Sequence, residues 1–139
     1  MKLITKDLLR FAVAASILTL IFRYFLSMGI DHNSIGIILI ISLFYGVSMF
    51  LSGMYWGRRD RHHLPIFDVG FRFHLCTFIV HQIISYIWLA GGFASEKEDY
   101  GPFYSVMIIW GAILLIHAVI FFRTRNKTYK NLNKRDLFE

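Results

Sequence analysis

Residues 35–56 read IGIILIISLFYGVSMFLSGMYW, an unbroken run without one charged side chain. At 1.5 Å per residue a helix of that length is about 33 Å long, and the hydrocarbon core of a bilayer is about 30 Å thick. Such a run therefore reads as a membrane-spanning helix. Three blocks of the same kind accompany it, at about 11–30, 69–92 and 103–122. Together they predict an all-α fold, a four-helix transmembrane bundle with antiparallel up-down topology. Of the 139 residues, 56% are hydrophobic, against roughly 45–50% in average soluble domains even with Gly counted. The chain divides into an N-terminal hairpin (1–67) ending in a basic loop, a second hairpin (68–122) and a basic tail (123–139). That tail is too short to bury a core of its own.

Cytoplasmic segments carry an excess of Lys and Arg. Lys2, Lys6 and Arg10 precede the first block, and Arg58, Arg59, Arg61 and Arg72 lie around the second connection. Arg123, Arg125, Lys127, Lys130, Lys134 and Arg135 follow the last block. The other two connections hold Asp31, Glu96, Glu98 and Asp99 against one lysine, Lys97. The pattern predicts both termini in the cytoplasm. The basic start and Ser27-Met28-Gly29 have the outline of a cleaved leader, but Arg23 and Tyr24 interrupt the apolar run before that point. The first block is read as a retained span. The net charge of +6 is accounted for by these topology signals and by contact with anionic headgroups. It does not indicate nucleic acid.

Small residues recur four apart at Ala12 and Ser16, Ser42 and Gly46, Ser48 and Ser52, and Gly53 and Gly57. That spacing lets helices approach closely, within the bundle or across a homodimer. The lone Cys76 reads as a small packing residue. His62 and His63 are adjacent in a polar loop, where neighbouring side chains diverge, so they make a poor chelating pair. Trp88, Phe93 and Tyr100 suit the outer interface, and Tyr55 and Trp56 the inner one.

Ionisable residues at membrane depth are costly and are candidate functional groups. Four fall there: Arg23, His74, His81 and His117. Arg23 either snorkels to the outer headgroups, pairs with Asp31 or an acid of the outer loop, or meets an anionic ligand. His74 lies six residues beyond Asp68, and His117 six residues before Arg123. Each is thus roughly 9 Å in from the same surface. In an antiparallel hairpin they are level and able to face each other. His81 lies two turns beyond His74, about level with Trp110 and Gly111. Three roles stay open for the imidazoles. They satisfy local hydrogen bonds, they titrate as a proton sensor, or they hold a metal or a haem iron. No nucleophile, paired carboxylate or phosphate loop signals an enzyme.

Phe71-Arg72-Phe73-His74-Leu75, together with the run from Trp110-Gly111 to His117-Ala118 and Phe121, resembles the bacterial 2TM domain family. The resemblance covers about residues 68–122. It departs from the family pattern at Ile113, where a second Gly is usual, and at His81-Gln82, where an apolar residue and Asn are usual. It implies a membrane hairpin of unknown activity in a bacterial inner (plasma) membrane, in some proteins attached to sensor kinases. His74, Trp110, Gly111 and His117 occupy its signature positions.

The expected function is non-enzymatic: a small multi-pass signalling or assembly module that packs against itself or a membrane partner. One alternative is a haem- or metal-binding protein using His74 and His117. Another is an oligomeric small transporter or channel.

Overall fold

The computed structural model describes residues 4–60 and 66–135, with side chains described for 4–60 and 69–123. The adjacent histidines His62 and His63 lie outside the described residues. Four helices follow in order: α1 (Lys6–Asp31), α2 (Ile35–Asp60), α3 (Ile66–Ala90) and α4 (Tyr100–Arg135). There is no strand among the described residues. Each helix is long and apolar enough to cross a membrane.

The helices extend beyond the hydrophobic blocks mainly toward the basic ends. α1 starts at Lys6 because Thr5 caps it, its side chain accepting from the Leu8 backbone N–H at 3.1 Å. That satisfies one of the donors a helix start leaves open. Asp7 sits in the first turn, favourable against the helix dipole. α4 continues to Arg135, since no Pro interrupts the chain after Pro102 and no Gly after Gly111. α3 stops at Ala90, just before Gly91 and Gly92. Gly92 has φ +73°, a left-handed conformation natural for the residue after a helix end. Asp99 caps α4, its Oδ1 accepting from the Gly101 N–H at 2.9 Å. Pro102 falls in the first turn, where no intrahelical donor is missed.

Contacts fix the topology. Thr19 meets Tyr45 while Gly29 lies beside Ile38, so α1 and α2 are antiparallel. A Cβ on Gly29 would lie 3.0 Å from Ile38 Cγ1 and 3.2 Å from Ile37 Cγ2, so a side chain there would make these two side chains give way at the turn of the first hairpin. Phe11 packs against Phe73 with tilted rings and Ser27 bonds Trp88, so α1 and α3 run parallel. Phe71 lies against Phe121 and Tyr86 against Phe103, so α3 and α4 are antiparallel.

α1 packs on α2 and α3, and α2 on α3, whereas α4 packs against α3 and no other helix among the described residues. The bundle is therefore a three-helix cluster with α4 laid on its outside. The core is Phe11, Ala15, Met49, Val69 and Phe73. Phe11, 1% exposed, contacts Phe73 and Trp56 at ring distances of 4.9 and 6.3 Å. The outer surface is the reverse of a soluble protein's: Ile40 and Leu43 are 73% and 71% exposed. Continuous apolar surface on this scale is what acyl chains cover.

Candidate functional site

The four intramembrane ionisable residues fall into three polar groups, each of which includes a side chain of α3. The first is the histidine pair. His74 on α3 and His117 on α4 face each other, with Nδ1 atoms 3.1 Å apart and ring centroids 5.3 Å apart. Trp110, less than two turns from His117 along α4, donates its indole N–H to His74 Nε2 at 2.7 Å. The indole nitrogen is a donor only, so His74 Nε2 carries no proton. A neutral His74 therefore holds its proton on Nδ1 and donates it to His117 Nδ1. The neutral His117 is left with its proton on Nε2. Three side chains thus form a directed chain, Trp110 to His74 to His117, across the α3/α4 interface. Phe71 closes the open side of the His117 ring at 6.3 Å, and Phe78 packs edge-on against Trp110 at 5.7 Å.

Gly111 takes no polar part in this chain. A Cβ there would lie 3.8 Å from Phe78, an ordinary contact, so the interface does not require glycine at this position.

Replacing Trp110 by Phe keeps the ring contacts and removes the donor. A buried acceptor left unmatched costs about 1–3 kcal/mol, and the expected destabilisation lies at the lower end. Nitrogen NMR of the histidine side chains checks the cause. His74 is expected to hold one tautomer in the native protein and a mixture in Trp110→Phe. A single unchanged tautomer in the variant would remove Trp110 from the chain.

His81 belongs to a second chain, which crosses three helices. Its Nδ1 lies 3.1 Å from the Tyr45 hydroxyl on α2, which lies 3.1 Å from Thr19 Oγ1 on α1. Thr19, fully buried, donates its own hydrogen to the Ala15 carbonyl at 2.7 Å. The direction follows: His81 donates to Tyr45, Tyr45 to Thr19, and Thr19 to the backbone. The His81 ring also lies 5.3 Å from the Trp110 ring, which places the two chains side by side.

Arg23 does not reach outward to headgroups. Its Nη2 is 2.7 Å from Glu98 Oε2, and the two side chains are 9% and 7% exposed. The loop between α3 and α4 folds back over α1 to deliver that carboxylate. Glu98 Oε1 accepts from the Ser27 hydroxyl at 2.5 Å and from the Ser95 N–H at 3.4 Å. Trp88 donates to Ser27 at 3.1 Å, and the Ser95 hydroxyl bonds Asp31 at the end of α1. Charge complementarity in the sequence pointed to an acid of this loop or Asp31 without choosing between them. Gln82 and Ser85 carry no comparable sequence signal. Both present buried polar atoms without a hydrogen-bond partner among the described residues, as does Arg23 Nε. The pairs Phe22/His81 and Ser27/Trp88 set the relative height of α1 and α3. They place Gln82 and Ser85 within a turn of the level of Arg23.

No three metal-ligating side chains come together among the described residues. Both nitrogens of His74 are engaged, one by Trp110 and one by His117. An iron or zinc ion at His74 would have to displace one of those partners. Cys76 is free and packs against the core cluster.

Fold and site together define a small multi-pass membrane protein with a polar interior. No protein-family model, no curated protein and no solved structure matches the chain.

Proposed function

We propose that this protein is a non-enzymatic signalling or assembly module of a bacterial inner membrane, and that the α3/α4 contact is its proton-responsive element. The Lys and Arg excess at the start, in the second connection and in the tail supports a cytoplasmic side for both termini under the positive-inside rule. The residues that carry the 2TM resemblance include the three of the directed chain, which supports that kinship.

One observation carries the reading. The chain from Trp110 to His74 to His117 has room for no additional proton. A third proton on the two imidazoles either sets an N–H against the Trp110 N–H or puts two N–H groups between the Nδ1 atoms. One hydrogen bond is lost in each case, and a charge is left at membrane depth. Since α4 packs on α3 and on no other helix among the described residues, that loss acts on the interface that holds α4 there. Among the described residues, α1 and α2 place no charged or titratable group in hydrogen-bonding or ion-pairing contact with either imidazole. Along α3 the neighbouring groups are Arg72 and His81, and along α4 Arg123.

The test is the α3–α4 distance as a function of pH. Spin labels at Ile83→Cys and Ile109→Cys, both on exposed positions, are introduced in a Cys76→Ser background. Histidine ordinarily titrates near pH ~6.5. Acidification from about pH 8 to about pH 5 is expected to lengthen and broaden the distance distribution, and His74→Phe to abolish the change. An unchanged distribution in the native pair, or the same response in His74→Phe, would overturn the reading. The cofactor alternative is not favoured, because His74 has no uncommitted nitrogen.

A further inference from the structure

Among the described residues α4 and α1 do not pack together, and a cleft remains between them beneath the outer loop. It holds a pocket of about 330 Å³, near the lower end of the range for ligand sites. Its walls come from all sides of the cleft. Leu26 of α1, Leu89 of α3 and Phe103 of α4 are apolar, while Arg23, Lys97, Glu98 and Asp99 bring charge. Its charges balance in a particular way. Arg23 and Glu98 neutralise each other in the buried ion pair. That leaves one cation, Lys97, and one anion, Asp99.

Both have capacity to spare. Lys97 Nζ donates one hydrogen to the Asp31 carbonyl at 2.8 Å, and an ammonium has three to give. Asp99 uses Oδ1 for the Gly101 N–H and has a second carboxylate oxygen. Arg23 also lines the pocket and is 7% exposed; its Nη2 pairs with Glu98, and its Nε, enclosed by protein, has no acceptor among the described residues. Buried donors of this kind are rarely left unmatched. The wall therefore offers two donors for an anion and a carboxylate for a cation. Apolar side chains, among them Leu26, Leu89 and Phe103, line the rest.

We propose that this pocket binds the headgroup of a zwitterionic phospholipid carrying a primary ammonium. The phosphate meets Lys97 and the part of the Arg23 side chain that lines the pocket, the ammonium meets Asp99, and an acyl chain lies in the cleft between α1 and α4 against Leu26 and Phe103. A singly anionic headgroup would leave Asp99 facing a like charge. A choline headgroup has no N–H to donate to Asp99.

Native mass spectrometry of the full chain in mild detergent tests this with three lipids of identical acyl chains. They carry ethanolamine, choline and glycerol headgroups on the phosphate. One ethanolamine lipid per chain is expected to be retained, with affinity about tenfold above the other two, a difference of about 1.4 kcal/mol. Lys97→Gln with Asp99→Asn, both at exposed positions, is expected to erase the preference. Equal retention of all three lipids by the native protein would reduce the pocket to a place in the general lipid shell. Tighter binding of the glycerol headgroup would make it an anion site, and no retained lipid would leave it without one. Each of these results overturns the proposal. The headgroup series on the native protein decides the matter even if the double variant does not fold.

Discussion

Replacing Glu98 by Ala is expected to lower the stability of the folded protein by about 3 kcal/mol, as two independent estimates agree. Removing one partner of a buried ion pair costs about 3–5 kcal/mol, because the other charge is stranded. An arginine held near the middle of a membrane helix costs about 2.5–3.5 kcal/mol on insertion scales. Glu98 and Arg23 qualify as buried, at 7% and 9% side-chain exposure and 2.7 Å separation. The substitution also frees the Ser27 hydroxyl and the Ser95 N–H, both now bonded to the carboxylate. Arg23→Met should cost less, about 1–2 kcal/mol. Without the guanidinium, Glu98 keeps its bonds to Ser27 and Ser95. In the double variant the losses should fall short of their sum, since each single change already removes the pair. Unfolding titrated with dodecyl sulfate from mild detergent measures all three. A loss below about 1 kcal/mol for Glu98→Ala would mean that the freed Arg23 snorkels to the headgroups at little cost.

That ion pair also marks where the sequence stops being legible. Four spanning helices follow from four apolar runs, because hydropathy integrates over about 20 residues and tolerates local error. The facing of His74 and His117 follows as well. In an antiparallel hairpin, equal distance from one surface fixes equal height. The level of His81 with Trp110 follows from the same arithmetic. Which loop acid meets Arg23 does not. It depends on how residues 91–99 fold, with Gly92 at φ +73° and Ser95 bridging to Asp31, and no periodicity encodes that path. The Tyr45–Thr19 link was equally hidden, since a tyrosine and a threonine in apolar helices look like ordinary interior residues. Nor does hydropathy reveal that, among the described residues, α4 packs on α3 and on no other helix. A helix surrounded by lipid and one surrounded by protein have the same average composition when the solvent is itself apolar. Helix ends were drawn short for a related reason. The terminal turns carry Lys6, Asp7, Arg58, Arg59 and Asp60, which a hydropathy window discards though the backbone continues through them.

His74→Ala is expected to weaken the docking of α4 by about 2–4 kcal/mol, and His117→Ala by about 1–2 kcal/mol. The inequality matters more than either value. His74 is the middle of the chain. Its removal leaves the Trp110 N–H without an acceptor, leaves His117 without a donor, and opens a cavity between α3 and α4. His117 is the end of the chain. Its removal leaves the Trp110–His74 bond intact and strands only the His74 Nδ1–H. A structural or proton-responsive contact therefore predicts unequal losses, confined to the α3/α4 interface and sparing the Arg23–Glu98 pair. Two ligands of one iron or metal ion would instead be near equals, since losing either one would empty the site. Cross-linking between cysteines placed on α3 and α4, compared with one placed across α1 and α2, reads the interface directly. Equal losses at both histidines, with colour or metal lost alongside, would transfer the pair from a hydrogen-bonded switch to a cofactor site.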